Sequence, residues 1–373
     1  MKRYFILGGG AAALEAARAI RESDPSGLIV MLTAENALPY LRPALTKQLL
    51  KNVSAADIAV EPASWYDAPG RDILVLTGRT VTAVDVQKKT ITLQDGLVFT
   101  YDKLIYALGA RCFVPPFKGN DRPNVIAIRT IEDAKRVREL AKTAKSAVVI
   151  GGGVLGLEAA SCLHEGGLSV TVVEFDKRIM ARQVDEAASA HIAKCMAEQG
   201  VTLLTGVSTS AVEDGILTLT DGRHLPADVV IVSAGVRANI EIAQAAGIKT
   251  DRKIIVDEHM ATSAPDVYAA GDCAVCGMSY ALWAEACEMG RVAGLSAAGM
   301  EASYQPVARP VHFAGFGTEV FAIGDPGLNP NLTYDVGEMP GARYYSVGDK
   351  LVGAVLIGDT SRAADVEKMI VGR

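Results

Sequence analysis

The sequence predicts an α/β protein built around two parallel sheets, and three observations support this prediction. A strand, three consecutive glycines, a helix and a second strand follow one another from Gly8 onwards, and the same succession returns at Gly151. Glycine makes up 36 of the 373 residues, above the usual ~7%, which indicates tight turns or backbone close to a ligand. Half of the residues are hydrophobic, which is enough to form cores for two or three domains.

The first of these units and the region after it consist of apolar or alternating strands and one helix. The predicted elements are the strand Tyr4–Leu7, the turn Gly8–Gly10, the helix Leu14–Arg21, the strand Leu28–Leu32, strands over Asp72–Asp85 and Thr90–Gln94, and the strand Lys103–Leu108, which ends at Gly109.

The second unit repeats this order. Its predicted elements are the strand Ala147–Ile150, the turn Gly151–Gly153, a helix to about Glu165, and the strands Ser169–Val173, Thr202–Leu204, Ile216–Leu219 and Asp228–Ala234, the last ending at Gly235. A further strand, Asp266–Ala270, precedes a helix from about Ala281 to Ala298. Beyond Tyr304, short strands and turns predict a small α+β region.

Composition excludes several classes of protein. The net charge of −6 and the lack of any run of five basic residues argue against nucleic acid as a partner. No apolar run reaches the roughly 18 residues, free of charges and breakers, that a membrane span needs. The N-terminus leads directly into the first strand, so we expect no secretory signal. Six cysteines are too few for a disulfide framework, and we expect a cytoplasmic protein with reduced thiols.

The two glycine turns match the G-x-G-x-x-G pattern, each after a strand and before a helix, as dinucleotide binding requires. The first glycine makes the turn, the second lets the backbone approach a pyrophosphate, and the third position packs the helix on the strand. These positions are Gly8, Gly10 and Ala13 in the first copy and Gly151, Gly153 and Gly156 in the second.

An acidic residue that could bind a ribose follows each turn, near the end of the second strand of its unit. Glu35 lies just past the strand Leu28–Leu32, and Glu174 ends the strand that begins at Ser169. The alternative for either glutamate is an ordinary exposed loop acid. Two nucleotide sites in one chain suggest FAD together with a nicotinamide dinucleotide.

Several ordered motifs make the sequence similar to a known family. They are Pro39-Tyr40-Leu41-Arg42-Pro43-Ala44-Leu45-Thr46-Lys47, Ala107-Leu108-Gly109, Ser233-Ala234-Gly235, Val267-Tyr268-Ala269-Ala270-Gly271-Asp272 and Gly353-Ala354-Val355-Leu356-Ile357-Gly358-Asp359. The sequence resembles the FAD-dependent pyridine nucleotide oxidoreductases of glutathione-reductase-like fold. Within them it looks closest to NADH:rubredoxin and ferredoxin reductases and to the flavin module of nitrite reductases.

The resemblance implies two Rossmann-like dinucleotide-binding domains, one inserted in the other, and a small α+β C-terminal domain. The implied boundaries are residues 1–113 and 237–303 for the FAD-binding domain, 114–236 for the NAD-binding domain and 304–373 for the C-terminal domain.

The resemblance also implies roles for individual residues. For FAD, Gly8, Gly10 and the Ala11, Ala12 and Ala13 backbone would hold the pyrophosphate, Arg42 would pair with it, Glu35 would take the adenosine ribose, Val81 would meet the adenine, Asp272 would bind the ribitol, and Ala107, Gly109, Gly271 and Arg129 would lie near the cofactor. For NADH, the implied residues are Gly151, Gly153, Gly156, Glu174 and Gly235. Lys47 and Glu158 would form a catalytic pair beside the flavin, the alternative being two unrelated surface charges.

The cysteines argue against disulfide chemistry. Disulfide reductases of this fold carry C-x4-C soon after the first unit, whereas this chain has no cysteine from Met1 to Gly109. Cys273 and Cys276 form the one C-x-x-C, directly after Asp272, where a redox or metal role is the less favoured interpretation. The histidines are scattered, so no metal site is predicted.

The expected function is transfer of electrons from NADH through FAD to a small iron protein such as rubredoxin or ferredoxin. Two alternatives remain open: an NADH oxidase, diaphorase or other small-molecule reductase, and a flavoprotein subunit or redox-sensing partner of a larger assembly. The basic helix over residues 131–146 could dock an acidic carrier, although a solvated helix face is the simpler interpretation.

Overall fold

The structure is a computed structural model that describes residues 1–339 and 341–372. The helices are α1 (Ala11–Ser23), α2 (Ala44–Lys47), α3 (Ala63–Tyr66), α4 (Ile131–Ala141), α5 (Val154–Glu165), α6 (Glu186–Glu198), α7 (Glu241–Ala245), α8 (Trp283–Ala298) and α9 (Ala363–Val371). A short 3-10 turn covers Gly271–Cys273.

The strands are β1 (Arg3–Leu7), β2 (Leu28–Leu32), β3 (Ile73–Leu76), β4 (Val81–Asp85), β5 (Thr90–Leu93), β6 (Val98–Thr100), β7 (Lys103–Tyr106), β8 (Ala110–Cys112), β9 (Val125–Ile126), β10 (Ser146–Ile150), β11 (Ser169–Glu174), β12 (Thr202–Thr205), β13 (Thr209–Glu213), β14 (Ile216–Leu219), β15 (His224–Pro226), β16 (Val229–Val232), β17 (Val236–Ala238), β18 (Ile254–Ile255), β19 (Val267–Ala269), β20 (Ala274–Val275), β21 (Val311–Gly315), β22 (Thr318–Gly324), β23 (Asp335–Met339), β24 (Ala342–Val347) and β25 (Lys350–Ile357).

The chain divides into two compact units, neither of which is contiguous in sequence. The first unit comprises Met1–Pro43, Val53–Arg111 and Val236–Pro306, and the second comprises Ala44–Asn52, Cys112–Gly235 and Val307–Arg373. Each unit contains a parallel sheet, so the predicted α/β fold class with two parallel sheets is confirmed. The three-domain boundaries given by the sequence stay a prediction.

The first unit is organised by a five-stranded parallel sheet in the order β19-β7-β1-β2-β3. The central strand β1 is almost wholly buried, because both α1 and the antiparallel sheet β4-β5-β6 pack against it: the rings of Phe5 in β1 and Phe99 in β6 have centres 5.4 Å apart. A three-stranded antiparallel sheet, β4-β5-β6, follows β3 in the chain. The predicted run Asp72–Asp85 is broken into β3 and β4 by a turn at Gly78, whose φ is +66°.

Helices α1 and α8 cross at very close range within the first unit. A Cβ added at Gly290 would lie 2.2 Å from the Ala12 carbonyl oxygen, and one added at Gly294 would lie 2.4 Å from that of Ala16. The glycines of α8 and the alanines of α1 are therefore required by the contact between the two helices. Helix α8 begins at Trp283 rather than at the predicted Ala281, because Ala281 has a left-handed φ of +54° and cannot continue a right-handed helix.

The second unit contains a parallel sheet in the order β12-β11-β10-β16-β9. The central strand β10 pairs with β11 and β16, and α5 follows β10 through the second glycine turn. An antiparallel sheet, β13-β14-β15, extends this part of the unit. The order β16-β10-β11 in the parallel sheet therefore repeats the order β7-β1-β2 in the first unit.

The C-terminal part of the second unit is an antiparallel sheet in the order β21-β22-β25-β24-β23, with α9 packed on it. Its core includes Phe321, Ala354 and Val366, all fully buried. The sheet contacts the start of α6, where the Tyr345 hydroxyl donates to Asp185 at 2.5 Å. Asp185 also accepts from the Ala188 N–H at 2.9 Å and so caps α6.

Among the described residues, no helix is long and apolar enough to cross a membrane.

Replacing Gly8 with alanine should destabilise the first unit. Gly8 has a φ of +128°, and an added Cβ would lie 2.2 Å from the Ala107 carbonyl oxygen, so both the backbone angle and the contact are unfavourable. We expect a loss of about 2 kcal/mol or more in the free energy of unfolding, measured by urea denaturation of the ligand-free protein. Gly10→Ala is the control: its φ is −99° and an added Cβ meets nothing within 4 Å, so its stability should stay within about 1 kcal/mol of wild type. Equal losses in both variants would contradict this account.

Candidate functional site

The first glycine turn leaves open the space that a ligand phosphate needs. An added Cβ at Gly10 meets nothing within 4 Å, whereas Gly8 is pressed against the Ala107 carbonyl. Gly10 is also the N-cap of α1, and no side chain caps the helix there. The first N–H groups of α1 are therefore available to an anion, which the helix dipole also favours.

The three alanines after this turn are buried. Ala11, Ala12 and Ala13 are 7%, 5% and 0% exposed, and Ala12 lies beneath Gly290 of α8. Larger side chains would not fit at Ala12 or Ala13 without moving α8 or the sheet. Binding of a pyrophosphate by their backbone stays a prediction.

Three predicted positions of the first unit lie at the carboxyl edge of its sheet. Gly8 follows β1, Ala107 follows β7, and Gly271 begins the 3-10 turn after β19. These strands are neighbours in the order β19-β7-β1, so their ends meet at one edge. Asp272 follows Gly271 in the same turn, and Gly109 has a φ of +61° two residues after Ala107. Ligands of open α/β sheets bind at this edge.

The structure pairs two residues that the sequence assigned to separate parts of a cofactor. The Arg42 Nη2 donates to Glu35 Oε1 at 2.8 Å, and the Tyr40 hydroxyl donates to Glu35 Oε2 at 2.6 Å. Arg42 also lies over the Tyr40 ring, 4.9 Å from its centre. Burial lowers the pKa of the Arg42 guanidinium, but the charge and hydrogen bond of Glu35, together with Tyr40 and Asp272, outweigh it, and the pKa lies above its usual value. Tyr40 entered the sequence prediction only as part of a motif, and spacing gave no sign of this contact.

Val81 lies at the start of β4 and is 7% exposed, with a shift in strand register directly after it. Its contact with an adenine through the backbone stays a prediction.

The second glycine turn repeats the geometry of the first. Gly151 has a φ of +114°, and an added Cβ would lie 2.3 Å from the Ser233 carbonyl oxygen, while Gly153 has open space around it. Gly153 is the N-cap of α5, again with no side-chain cap. Gly156 could not be alanine without movement, because a Cβ would lie 2.1 Å from the Gly151 carbonyl oxygen. Gly235, two residues after Ser233, has a φ of +92° and open space.

Glu174 ends β11 and is fixed beside the second turn. Its Oε2 accepts from the Gly152 N–H at 2.5 Å, and its Oε1 accepts from the Asp176 N–H at 2.7 Å. The Gly152 carbonyl in turn accepts from the Met180 N–H at 2.9 Å, which folds the following loop against the turn. Arg178 in that loop donates to the Val184 carbonyl at 2.7 Å. Its guanidinium is therefore engaged by the loop backbone.

Lys47 and Glu158 lie together in the second unit, as the resemblance implied. Glu158 on α5 is 4% exposed, and its Oε1 is 3.7 Å from the Lys47 Nζ. A nearer contact was not foreseen: the Thr46 Oγ1 donates to Glu158 Oε2 at 2.7 Å. Burial raises the pKa of the Glu158 carboxyl, and the Thr46 hydrogen bond and the Lys47 charge only partly offset this.

Arg129 precedes α4 in the second unit, and its N–H donates to Asp133 at 3.0 Å. Thr130 and Asp133 form a capping box that fixes the start of α4. The predicted role of Arg129 near a flavin stays a prediction.

The C-x-x-C pair does not have the features of a reactive dithiol. Cys273 is fully buried, its Sγ donates to the Ala270 carbonyl at 3.3 Å, and burial raises its pKa to about 12. Burial also raises the pKa of Cys276. Reactive cysteines need a thiolate, so both positions are unsuited to thiol chemistry at neutral pH. Within the described residues, no group of three or more His, Cys, Asp or Glu side chains could hold a metal ion.

Two of the basic residues on or directly after α4 are paired with acids of that helix. Lys135 pairs with Glu132 at 2.6 Å, and Lys142 pairs with Glu139 at 2.6 Å. These exposed i,i+3 pairs are typical of a solvated helix face. They favour the simpler of the two interpretations that the sequence left open.

In each of the two glycine turns, the glycine that directly precedes the helix has open space around it, and no side chain caps that helix. Two such turns define the class of the protein: one that binds two dinucleotides. The chain belongs to the pyridine nucleotide-disulphide oxidoreductase family, whose sequence profile matches residues 2–290. The resemblance found in the sequence is thereby confirmed.

Individual relatives are similar over much of the chain. The assimilatory nitrate reductase electron transfer subunit of Bacillus subtilis (strain 168) is 32% identical over 96% of this chain and 48% of its own length. The rubredoxin-NAD(+) reductase of Pseudomonas putida is 33% identical over 72% of this chain and 71% of its own. The solved ferredoxin reductase for the CYP199A2 system of Rhodopseudomonas palustris superposes with a TM-score of 0.89 at 26% identity, over 98% of this chain and 92% of that one. The chain therefore spans about half the length of the Bacillus relative.

Members of this family bind FAD and NAD(H), and the residues present fit both groups. In the first unit, Gly10 leaves a cradle that a Cβ would fill, and Arg42 supplies a cation beside Asp272. In the second unit, Gly153 leaves the same cradle, and Glu174 offers carboxylate oxygens at the end of β11. A carboxylate there suits a ribose 2′-hydroxyl.

Gly10→Ala and Gly153→Ala should separate the two cofactors. Each methyl group would occupy the open space over one helix N-terminus without disturbing the fold, so binding of one pyrophosphate should weaken. We expect purified Gly10→Ala to lose bound flavin, with at least about a tenfold weaker Kd, and Gly153→Ala to keep its flavin while its KM for NADH rises about tenfold. Flavin absorbance and steady-state kinetics measure these effects. The reverse pattern, or loss of flavin in both variants, would contradict the assignment.

Replacing Glu158 with glutamine should change how stability depends on pH. The pKa of Glu158 is raised in the folded state, so just above its usual value of 4.5 the folded protein binds more protons at this site than the unfolded one. The contribution of Glu158 to the free energy of unfolding therefore falls as pH rises from 4.5 through its folded pKa. We expect Glu158→Gln to gain stability relative to wild type across this interval, measured by urea denaturation at stepped pH. A difference that does not vary with pH would contradict the raised pKa.

Proposed function

We propose that this chain is an FAD-dependent NADH oxidoreductase that passes electrons to a small iron protein such as rubredoxin or ferredoxin. The observation that carries the proposal is the pair of open glycine turns, one in each compact unit, at Gly8–Gly10 and Gly151–Gly153. The functions of the Pseudomonas and Rhodopseudomonas relatives support the kind of acceptor.

In the second unit, the chain's own groups would bind and orient NADH. The N–H groups at the start of α5 would hold the pyrophosphate, and Gly153 would let it approach. The Glu174 carboxylate, held by the Gly152 and Asp176 N–H groups, would accept from the adenosine ribose hydroxyls. Because these backbone donors fix the carboxylate beforehand, little ordering is needed when the ribose arrives.

In the first unit, the N–H groups at the start of α1 would hold the FAD pyrophosphate. Arg42 would compensate its negative charge, and the Glu35 carboxylate that pairs with Arg42 would remain its neighbour. Asp272 would accept from ribitol hydroxyls. When bound, FAD would supply hydride acceptance and single-electron transfer, and these residues would bind and orient it.

Lys47 and Glu158 are proposed to act next to the reacting groups. The half-exposed Lys47 ammonium would stabilise negative charge that develops during the reaction, and the buried Glu158 carboxylate would hold that ammonium in place. This role rests on the pairing of the two side chains and on the family resemblance.

The absence of disulfide chemistry belongs to the same proposal. Cys273 is buried with a raised pKa, and Cys276 also has a raised pKa, so FAD would be the single redox centre. Reductive titration should then take up about two electrons per flavin, whereas a flavin with a working dithiol takes up about four.

Cys162, Cys195 and Cys276 carry free thiols, which supports a cytoplasmic location in a reducing environment.

A second function, as the flavin subunit of a larger assembly, is favoured by one observation. The Bacillus relative is described as an electron transfer subunit, and this chain matches about half of it. A subunit would reduce flavin with NADH but would pass electrons poorly to free rubredoxin or ferredoxin.

The decisive experiment follows NADH oxidation by the flavin-loaded protein under anaerobic conditions, with purified rubredoxin or ferredoxin as acceptor. We expect the iron protein to be reduced many-fold faster than without enzyme. A rate in air that is unchanged by the iron protein would indicate an NADH oxidase instead. Rapid flavin reduction without transfer to either iron protein would favour the subunit function.

NADH should be preferred over NADPH because of Glu174. Two like charges 4 Å apart repel by about 4 kcal/mol at an effective dielectric constant of 20, so after screening we expect at least about a tenfold preference in kcat/KM. Arg178, whose guanidinium is engaged by loop carbonyls, should not offset it. Glu174→Gln should reduce the preference, while the exposed Glu198→Gln serves as a control that leaves it unchanged. Equal kcat/KM values for both nucleotides in the wild type would refute the assignment.

A further inference from the structure

We propose that Thr46 is a positioning residue: its hydroxyl fixes the Glu158 carboxylate so that the neighbouring Lys47 ammonium stays half exposed and available for the reaction. The inference rests on the proposed function and deepens it. In this inference the Thr46 hydroxyl fixes the buried carboxylate, so the Lys47 ammonium is not needed for that purpose.

The geometry of the three side chains carries this inference. The Thr46 Oγ1 is 2.7 Å from Glu158 Oε2, which is a short hydrogen bond to a carboxylate. The Lys47 Nζ is 3.7 Å from the other oxygen, Oε1, beyond the range of a direct hydrogen bond. The buried carboxylate is thus bound more closely by the neutral hydroxyl than by the cation.

The burial of the three residues differs in the same way. Glu158 and Thr46 are 4% and 5% exposed, whereas the Lys47 side chain is 52% exposed. A buried carboxylate requires a donor close to it. Because the buried Thr46 hydroxyl is that donor, the Lys47 ammonium can stay exposed to solvent. Without the hydroxyl, Lys47 would have to move in towards Glu158 and would be withdrawn from its proposed position.

The titratable and charged groups near Glu158 come from three elements of the second unit. Helix α2 contributes Lys47 beside Thr46, and α5 itself carries Cys162, whose pKa is raised by burial. Strand β21 contributes His312, whose pKa is lowered by burial and by the charge of Lys47. Thr46 and Lys47 are the side chains that lower the pKa of Glu158, so neither Cys162 nor His312 substitutes for the Thr46 hydroxyl.

Two substitutions at Thr46 form a matched pair. Thr46→Val keeps the shape of the side chain and removes the hydroxyl, while Thr46→Ser keeps the hydroxyl and removes a methyl group. The first readout is independent of turnover: the carboxyl carbon of Glu158 is titrated by NMR in protein carrying carbon-13 glutamate, with its signal assigned by its loss in Glu158→Gln. Thr46→Val should raise the pKa of Glu158 by about one pH unit, because a donor to the ionised form is lost. Thr46→Ser should stay close to wild type.

The second readout is the pH profile of flavin reduction by NADH in stopped flow. In Thr46→Val the acid limb should move to higher pH in the same direction as the titration, and the rate at neutral pH should fall about tenfold. Thr46→Ser should restore both. In the Glu158→Gln background, Thr46→Val should cause less than about a twofold further change, because residues that act through one another are not additive.

The outcomes separate this inference from the proposed function. If the wild type shows no flavin reduction by NADH, the proposed function fails, and the NMR titration still decides the role of Thr46. If the wild type is reduced normally and Thr46→Val shifts neither the titration nor the acid limb, the inference is wrong. Additive losses in the Glu158→Gln background would also overturn it. If Thr46→Val does not fold, Thr46→Cys with its weaker donor replaces it and should give an intermediate shift.

Discussion

The burial of Glu158 is the constraint on which the arrangement of the second unit depends. A carboxylate that is 4% exposed must be bound by donors, and here those donors come from a segment far earlier in the chain. The short segment Ala44–Asn52 belongs to the second unit, although the residues on both sides of it belong to the first. One buried charge on α5 therefore lies at the contact between α5 and this segment. A hydrophobic residue at this position would impose no such demand.

The two glycine turns show how one local solution serves two units. In each, the first glycine has a positive φ, and the carbonyl oxygen of the residue directly after a neighbouring strand lies within 2.3 Å of where a Cβ would be. In each, the glycine that begins the helix has open space. The third positions differ: Ala13 is tolerated in the first unit, whereas Gly156 lies against its own turn. The residue at the end of the second strand differs as well: Glu174 is the last residue of β11, and Thr33 directly follows β2. Glu174 bonds to the turn in one unit, while Thr33 occupies the matching position beside Gly9 in the other.

Much of the fold could be predicted from the sequence because its determinants are local. Strands β1, β2, β10 and β11 are short apolar runs next to glycine turns, and their periodicity and boundaries are visible in the chain itself. The start of α8 was predicted two residues early, since nothing in the sequence marks the left-handed backbone of Ala281. The site was harder to predict because its contacts join distant residues. The sequence singled out Lys47 and Glu158 through a family motif, and the structure does bring them together. Nothing in the sequence indicated that Thr46 is the nearer partner of Glu158, because side-chain geometry between distant segments cannot be predicted from spacing or composition.

The discontinuous course of the chain has a consequence for how the protein is made. The edge strand β19 and helix α8 complete the first unit, yet they follow the whole of the stretch Cys112–Gly235, whereas β7 and α1 precede it. During synthesis, the apolar face of α1 stays uncovered and the edge of β7 stays unpaired while that stretch leaves the ribosome. It can form its own parallel sheet in the meantime, since β9 to β16 lie within it. The second dinucleotide fold should therefore mature before the first.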